Sequence, residues 1–170
     1  MENRYPFVKA IYPLAGLILL IILLSACKKD TVANNAGKYE MSFKANGASV
    51  KYDTENALVA TFNQTNNQYI AIFSGYDTNS NMNLSVYDDK AISETNYSGY
   101  TVSGIVTTGV LMGYQDDSGT LYTQPGADVA IRVSSISASA VSGTFSGTLK
   151  ATGKPDMVIT DGKFNLKRLN

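Results

Sequence analysis

The sequence predicts an all-β protein, an antiparallel β-sandwich or flattened barrel of about 9–11 strands. Three observations predict this class. Apolar and polar side chains alternate over most of the chain after residue 38, which is the period of a half-buried strand. Turn-forming dipeptides such as Asn46-Gly47 and Asp161-Gly162 interrupt these alternating runs. No segment carries the apolar stripe of an amphipathic helix.

The first 26 residues have the form of an export signal. Arg4 and Lys9 give a basic start, and an uncharged run from Ala10 to Ala26 follows. That run is short for a membrane-spanning helix, which needs about 20 apolar residues. A basic start, an apolar middle and small residues before the cleavage point are the features of a cleaved signal peptide. We therefore expect a signal peptide over residues 1–26.

The string Leu24-Ser25-Ala26-Cys27 resembles the lipobox of bacterial lipoproteins. The resemblance implies that diacylglycerol is attached to the Cys27 thiol, that the signal is cut before Cys27, and that the new amino group is acylated. Two or more acyl chains anchor a protein stably, whereas one holds it only marginally. The implied location is the outer membrane, by a lipid anchor at its periplasmic or its cell-surface face. The alternative is an uncleaved N-terminal helix in which Cys27 is incidental.

The residues after Cys27 predict a tether. Residues 27–37, the lipidated cysteine followed by "KKDTVANNAG", are polar and aperiodic, so we expect a flexible linker there and a single all-β domain over residues 38–170. "CKKD" partly matches a surface-export tag of Bacteroidota lipoproteins, which leaves the face of the membrane open. Asp30-Thr31-Val32 resembles an O-glycosylation acceptor of that phylum, and whether Thr31 is modified is also open.

The first strands of the domain follow from the alternation. Tyr39, Met41 and Phe43 share one face, and Asn46-Gly47 predicts a two-residue hairpin turn into a second strand that contains Tyr52. The runs "ALVATFN" and "QYIAIFSG" are apolar on both faces, as expected of central strands that are covered on both sides. The run "NMNLSVYD" alternates again, with its apolar residues on one face.

The middle of the chain is less regular. Residues 89–99 show no period, and residues 100–114 are too many for one ordinary strand, so Gly104 or Gly109 is expected to mark a bulge or a turn. "QDDSG" predicts a turn into a short strand "TLYT". Residues 128–137 then form a separate strand, and the apolar phase slips near Ile136, which predicts a bend.

The clearest strand lies near the C-terminus. In "AVSGTFSGTLKA", Gly143, Phe145 and Gly147 share the apolar face. Because glycine weakens a strand interior unless another group needs the space, we expect a bulky neighbour beside Phe145. "MVIT" and "KFNL" are expected to form a last hairpin across Asp161-Gly162.

This C-terminal pattern resembles the ending shared by a family of small Bacteroidota lipoproteins of unknown function, a GTFSG-like strand followed by an ITxGxF-like hairpin. The opening "MSFKANGASVKY" also resembles the first hairpin of that family. The resemblance implies an all-β domain, and it implies no activity. The residues that carry it are Gly143, Thr144, Phe145, Ser146, Gly147, Ile159, Thr160, Gly162 and Phe164.

Charge and composition exclude several classes of function. Removal of the predicted signal peptide takes away Glu2, Arg4 and Lys9, which leaves 12 basic and 13 acidic residues in the mature chain. These residues form no basic run in the sequence, so we expect no phosphate-neutralising surface of the kind that binds nucleic acids. The chain has no histidine, so Ser-His-Asp and Cys-His catalytic arrangements are impossible. We therefore predict that the protein is not an enzyme and needs no cofactor.

The paired carboxylates offer little chemistry. Asp88-Asp89 and Asp116-Asp117 do not suit glycoside hydrolysis, because neighbours on a strand point to opposite faces. "QDDSG" and "YDDK" offer oxygen ligands for calcium, but neither has a recognised calcium-loop spacing. Aspartate is also common in turns because its side chain bonds the nearby backbone. Calcium binding by Asp116 and Asp117 is left open, and no metal site is predicted.

The tyrosines are the candidate ligand-binding residues. Tyr97 and Tyr100 lie in or beside the irregular segment, and Tyr114 and Tyr122 flank "QDDSG", where they can pair across a hairpin. Flat rings beside amides and carboxylates suit the stacking and hydrogen bonding of sugar rings. The alternative is that these rings cover strand edges or fill the core.

Two functions are therefore expected. The first is a non-catalytic binding module at the cell envelope, with glycan as the candidate ligand and the membrane as the partner of the lipid anchor. The second is a structural or accessory lipoprotein that docks with another envelope protein through a sheet edge, because sheet edges present unpaired backbone groups.

Overall fold

A computed structural model describes residues 39–170. The predicted signal peptide, the tether, Cys27 and Thr31 lie outside the described residues. Besides one 3-10 turn at Glu55–Ala57, this part of the chain consists of strands and their connections. None of its helical turns is long and apolar enough to cross a membrane. The ten strands are β1 (Glu40–Ala45), β2 (Ala48–Tyr52), β3 (Leu58–Thr65), β4 (Gln68–Tyr76), β5 (Asn81–Asp88), β6 (Asn96–Ser103), β7 (Val106–Gln115), β8 (Leu121–Ile136), β9 (Ala140–Leu149) and β10 (Met157–Arg168).

The strands close into a ring, which confirms the predicted all-β class and strand number. Neighbours pair in the order β10-β3-β4-β5-β7-β8-β9, and β9 returns to β10. Every pairing is antiparallel except a short parallel one, in which Lys167 and Arg168 of β10 lie beside Val59 and Ala60 of β3. The hairpin of β1 and β2 attaches to β10, and β6 lies against β7 and β8. Closing the ring removes most of the free sheet edges.

One core fills the ring, and all ten strands contribute to it. The predicted inward positions are confirmed, since Met41, Phe43, Leu84 and Phe145 are nearly inaccessible to solvent. The aromatic rings form a connected chain through this core. In that chain Phe43 contacts Tyr52, Tyr114 and Phe145, Phe145 contacts Phe164, and Phe164 stacks on Phe73 with centroids 4.9 Å apart.

The C-terminal motif is explained by two reciprocal pairs of glycine and phenylalanine. Gly143 of β9 lies opposite Phe164 of β10, and Phe145 of β9 lies opposite Gly162 of β10. A Cβ atom on Gly143 would lie 2.8 Å from Cε1 of Phe164, and one on Gly162 would lie 2.7 Å from Cγ of Phe145. Each ring therefore occupies the space that the opposite glycine leaves, which confirms the expected bulky neighbour.

The predicted last hairpin across Asp161-Gly162 is wrong. β10 is one continuous strand, and Asp161 adopts a positive φ of 55° at a bulge. On β9 only Ser146 separates the partners of Ile159 and Gly162, so β10 carries one extra residue there. A bulge and a tight turn both need a residue that tolerates positive φ, so the dipeptide alone does not distinguish them.

Two further expectations are corrected in the middle of the chain. The predicted strands "TLYT" and 128–137 belong to a single 16-residue strand, β8. The segment 89–99 is not irregular throughout, because β6 begins at Asn96. The turn at Gly104 is confirmed, since Ser103 pairs with Val106 across Gly104 and Ile105. The bend near Ile136 is confirmed by a register shift between Val133 and Ser135.

β6, β7 and β8 meet at a three-way junction. The first part of β6 pairs with β8 up to Gly99, and its second part pairs with β7 from Tyr100 onward. Gly99 and Gly109 have φ of 74° and 112°, and a Cβ on Gly109 would lie 2.8 Å from Cα of Tyr100. Glycine is required at Gly109 because the two backbones approach too closely for a side chain.

Candidate functional site

The structure separates the four predicted ligand-binding tyrosines. Tyr97, Tyr114 and Tyr122 are buried in the core, with 8%, 5% and 6% of their surface exposed, whereas Tyr100 is 40% exposed. Tyr114 and Tyr122 do pair across the β7–β8 hairpin. Their rings fill the core, as the alternative interpretation has it, so of the four predicted tyrosines only Tyr100 presents a ring to a ligand.

Two of the buried tyrosines, Tyr97 and Tyr114, make contacts that hold them in the core. The Tyr97 hydroxyl accepts a hydrogen bond from the backbone N–H of Ser93 at 2.8 Å and donates one to its carbonyl at 3.1 Å. The Tyr114 ring meets Phe43 edge-on, with centroids 5.3 Å apart. Burial raises the pKa of Tyr114 above its usual value, so the phenol is neutral at every physiological pH.

Tyr100 forms the wall of a small cleft near the three-way junction. Its ring meets the ring of Tyr87 edge-on, with centroids 6.2 Å apart and an interplanar angle of 89°. The cleft has a volume of about 240 Å³, and Asp88, Asn96 and Thr108 also line it. This cleft therefore combines two aromatic rings with polar side chains, but it has about half the volume of the cleft at the β4–β5 turn.

A larger cleft of about 430 Å³ lies at the β4–β5 turn, which no site prediction included. Side chains from β4, the turn, β5 and β7 line it, and no lysine or arginine is among them. The side chains that carry its chemistry are Tyr76, Asp77, Asn79, Asn81, Asn83 and Gln115. We call this surface the amide cleft.

Three amide side chains in the cleft form a hydrogen-bonded chain in which each amide donates to the next. Ser74 Oγ donates to Asn83 Oδ1 at 2.8 Å, and Asn83 Nδ2 donates to Asn81 Oδ1 at 3.0 Å. Asn81 Nδ2 then donates to Gln115 Oε1 at 2.8 Å. The arrangement depends on the strand pairing, because β5 places Asn81 directly beside Gln115 of β7.

These hydrogen bonds orient the amide side chains but do not use all of their donors and acceptors. A carboxamide has two N–H donors and two acceptor lone pairs. Within the amide cleft, the hydrogen bond that Asn81 donates to Gln115 and the one that Asn83 donates to Asn81 each use one N–H, so each NH₂ keeps a second donor for a ligand. The amides are therefore oriented donors and acceptors whose geometry exists before a ligand arrives.

The turn that forms one side of the cleft is held by Asp77. Its Oδ1 accepts hydrogen bonds from the backbone N–H of Asn79 at 2.8 Å, the N–H of Ser80 at 2.7 Å and the hydroxyl of Ser80 at 3.2 Å. These bonds, led by the one from Asn79, hold the pKa of Asp77 below its usual value. Asp77 is therefore ionised, and its Oδ1 is committed to the turn.

One aromatic ring, that of Tyr76, borders the amide cleft. The Tyr76 ring is 47% exposed, and its hydroxyl donates to the carbonyl of Asn56 at 3.2 Å, which fixes the ring. Beneath the turn, the buried hydroxyls of Tyr52 and Ser80 share a 2.9 Å hydrogen bond. Burial raises the pKa of Tyr52, so this phenol, which lies in the core behind Ser80, is neutral.

The calcium candidates have a structural use. Asp116 Oδ1 accepts hydrogen bonds from the hydroxyl of Ser118 at 2.6 Å, the N–H of Ser118 at 3.0 Å and the N–H of Thr120 at 2.9 Å. These bonds, led by the Ser118 hydroxyl, lower the pKa of Asp116. Among residues 39–170, no three acidic or thiol side chains converge. The turn interpretation therefore accounts for Asp116.

Comparisons with known proteins give no family. No protein-family model matches the chain, and no curated protein and no solved structure resembles it closely enough to count as a match. The likeness to small Bacteroidota lipoproteins stays a prediction that rests on the quoted motifs.

Proposed function

We propose that this protein is a lipid-anchored, non-catalytic binding module of the cell envelope, and that its amide cleft binds a neutral glycan. The observation that carries the proposal is the chain of pre-oriented amides, Asn83, Asn81 and Gln115, beside the half-exposed ring of Tyr76. This site differs from the tyrosines first predicted from the sequence, of which three are core residues.

The chemistry of the cleft favours a sugar over other small ligands. Sugar hydroxyls both donate and accept hydrogen bonds, and carboxamides do the same. A fixed aromatic ring offers an apolar surface to the C–H face of a sugar. A phosphorylated or carboxylated ligand would lack a cation in the cleft, since no lysine or arginine lines it and Asp77 is ionised.

The same groups argue against catalysis. Glycoside hydrolysis needs a pair of carboxyl groups, one of which has a raised pKa so that it can donate a proton. Asp77 is the single carboxylate of the amide cleft, and its pKa is lowered. The hydrogen bonds that shape the turn therefore leave no proton donor for a leaving group.

The lipid anchor is proposed from the lipobox-like segment at Cys27. A tether from Cys27 to Tyr39 would reach about 40 Å when fully extended, and the domain would stay near the bilayer. Mass spectrometry of the native protein should find a chain that starts at Cys27 and carries acyl chains. The Cys27→Ser variant should leave the membrane fraction. A native chain with an intact N-terminus and a free thiol would overturn the anchor and leave the glycan proposal standing.

A glycan-array screen of residues 37–170 tests the binding function. We expect wild-type binding to at least one neutral glycan and a loss of at least tenfold in affinity for Asn81→Ala and for Tyr76→Ala, because each removes a group that faces the ligand. Tyr100→Ala is the matched control, since it removes an exposed ring from the other cleft. Loss of binding only in Tyr100→Ala would move the site to that cleft. An array without hits, with one stoichiometric protein captured from native membranes, would favour the envelope-docking function instead.

A further inference from the structure

The far parts of β6 and β7 form a ribbon that stands beyond the ring. Residues Tyr100–Ser103 and Val106–Gly109 pair with each other past the three-way junction. The ribbon exposes apolar side chains, since Val102 is 60% exposed and Ile105, in the turn, is 86% exposed. A two-stranded ribbon is marginally stable unless something supports it.

One edge of the ribbon is supported by a side chain. Ser103 and Val106 flank a two-residue turn and exchange hydrogen bonds, so the alternation of the ladder points the backbone groups of Val102 and Thr107 outward. On the β7 edge, Gln68 bonds both outward groups of Thr107. Its Oε1 accepts from the Thr107 N–H at 2.6 Å, and its Nε2 donates to the Thr107 carbonyl at 2.8 Å.

The opposite edge, on β6, has no such support from the described residues. Val102 is the cross-strand partner of Thr107, and no side chain or strand of residues 39–170 bonds its outward N–H and carbonyl. Natural proteins protect free edges with charged residues, proline or bulges. The segment 96–115 contains no Asp, Glu, Lys, Arg or Pro. The β6 edge at Val102 is therefore open to strand addition.

We propose that this edge pairs with the same edge of a second copy of the protein, antiparallel and about a two-fold axis through Thr101. In that register Thr101 lies opposite Thr101 of the partner copy, and Tyr100 lies opposite Val102 of the partner copy. The alternation of the ladder points the backbone groups of Tyr100 and Val102 outward, so the pairing would make up to four hydrogen bonds, those at Val102 being the ones farthest from the junction with β8. The side chains also match, because threonine pairs and aromatic–β-branched pairs are favourable cross-strand neighbours.

Self-pairing is favoured over another occupant because the segment is complementary to itself. An isologous interface brings each residue near its own symmetry mate, so like charges there would repel each other. The neutral segment 96–115 avoids that repulsion. The contact is small, so we expect a weak dimer in solution. Confinement to a membrane would strengthen it by raising the effective concentration.

Disulfide trapping of the full chain in native membranes tests the register. Cys27 is the only cysteine of the chain. A symmetric non-hydrogen-bonded pair has Cα atoms about 4.5 Å apart, which suits a disulfide, whereas diagonal neighbours are about 7–8 Å apart, which does not. We expect Thr101→Cys to form a covalent dimer under mild oxidation at least tenfold faster than Val102→Cys. Wild type measures the background from Cys27, and Val158→Cys, exposed to 44% on β10, measures random collision.

A second change separates pairing from folding. Val102→Pro, placed in the Thr101→Cys chain, removes the outward N–H of residue 102 and leaves the β6–β7 hydrogen bonds in place. We expect a cross-linking rate at least tenfold lower, with an unchanged circular dichroism spectrum. Equal rates for Thr101→Cys and Val158→Cys, insensitivity to Val102→Pro, or a cross-link to a different protein would each overturn the proposal. None of these results bears on the amide cleft, which lies at the other end of β5.

Discussion

Replacing Phe145 with alanine removes the ring that links the two halves of the aromatic core. Phe145 is 3% exposed, and its ring lies 5.7 Å from the Phe43 centroid and 6.4 Å from the Phe164 centroid. A buried aromatic side chain removes about 150–250 Å² from water, which corresponds to about 4–6 kcal/mol at roughly 25 cal/mol per Å². Measured truncations of buried phenylalanine cost about 3–5 kcal/mol.

The expected change in melting temperature follows from that range. Unfolding entropy is about 2.1 cal/mol/K per residue, or about 0.28 kcal/mol/K for the roughly 130 described residues. A loss of about 3–5 kcal/mol should therefore lower the melting temperature of Phe145→Ala by about 11–18 °C. Thermal unfolding followed by circular dichroism, with urea unfolding as a second measurement, gives both quantities.

Val158→Ala is the matched control because Val158 lies on the neighbouring strand β10 with 44% of its surface exposed. We expect its free energy of unfolding to change by less than about 0.5 kcal/mol. If Phe145→Ala melted within about 2 °C of wild type, the ring would not be a core group and the inward face of β9 would be assigned wrongly.

Three further changes test other parts of the structure. Gly143→Ala should cost at least about 2 kcal/mol, because its Cβ would lie against Phe164 and the Arg132 carbonyl; unchanged thermal unfolding would contradict the close contact. Gln68→Ala should speed amide hydrogen exchange at Thr107 but not at Val110, since Gln68 accepts the Thr107 N–H; equal exchange in both proteins would argue against that support. Asp116 has a folded pKa below 3.8, so its contribution to stability is full above pH 3.8 and is lost as the pH falls through the folded value. Asp116→Asn should therefore reduce the loss of stability between pH 5 and pH 2, and urea unfolding with the same slope against pH as wild type would refute this.

Local patterns predicted much of the fold because they act over a few residues. Alternation gave the inward faces of Met41, Phe43 and Phe145, and Asn46-Gly47 gave a turn with positive φ at both positions. The space around Phe145 was also visible in the sequence, because Gly143 and Gly147 flank it on the same face. These features need no knowledge of distant strands.

The wrong predictions concern segments whose conformation depends on pairing with strands that are distant in the sequence. Asp161 bulges within β10 because β10 has β1 on one side and β9 on the other, so the chain stays extended where the dipeptide also permits a turn. β8 continues through Pro125-Gly126 because different strands pair with its two parts. Neither pairing can be read from the local sequence.

The site was missed for the same reason. The run "YDTNSNMN" showed a turn and an alternating strand, but the contact between Asn81 and Gln115 requires the pairing of β5 with β7, which lies 34 residues away. Its concentration of asparagines beside Tyr76 is the signal that could have pointed to the cleft. The prediction for Tyr97 depended on whether this residue lies in a loop or in a strand. Residue 97 belongs to β6, which begins at Asn96, and its side chain is on the inward face of that strand.

Amide chemical-shift mapping by NMR tests the glycan-binding claim most directly. Uniformly ¹⁵N-labelled residues 37–170 would be titrated with the highest-ranking neutral glycan from the array. The account predicts saturable shifts confined to residues 75–83 and to Gln115 and its neighbours, with no response in the Asn81→Ala variant. Shifts centred on Tyr87 and Tyr100, or no saturable shifts at all, would contradict the assignment of the amide cleft as the binding site.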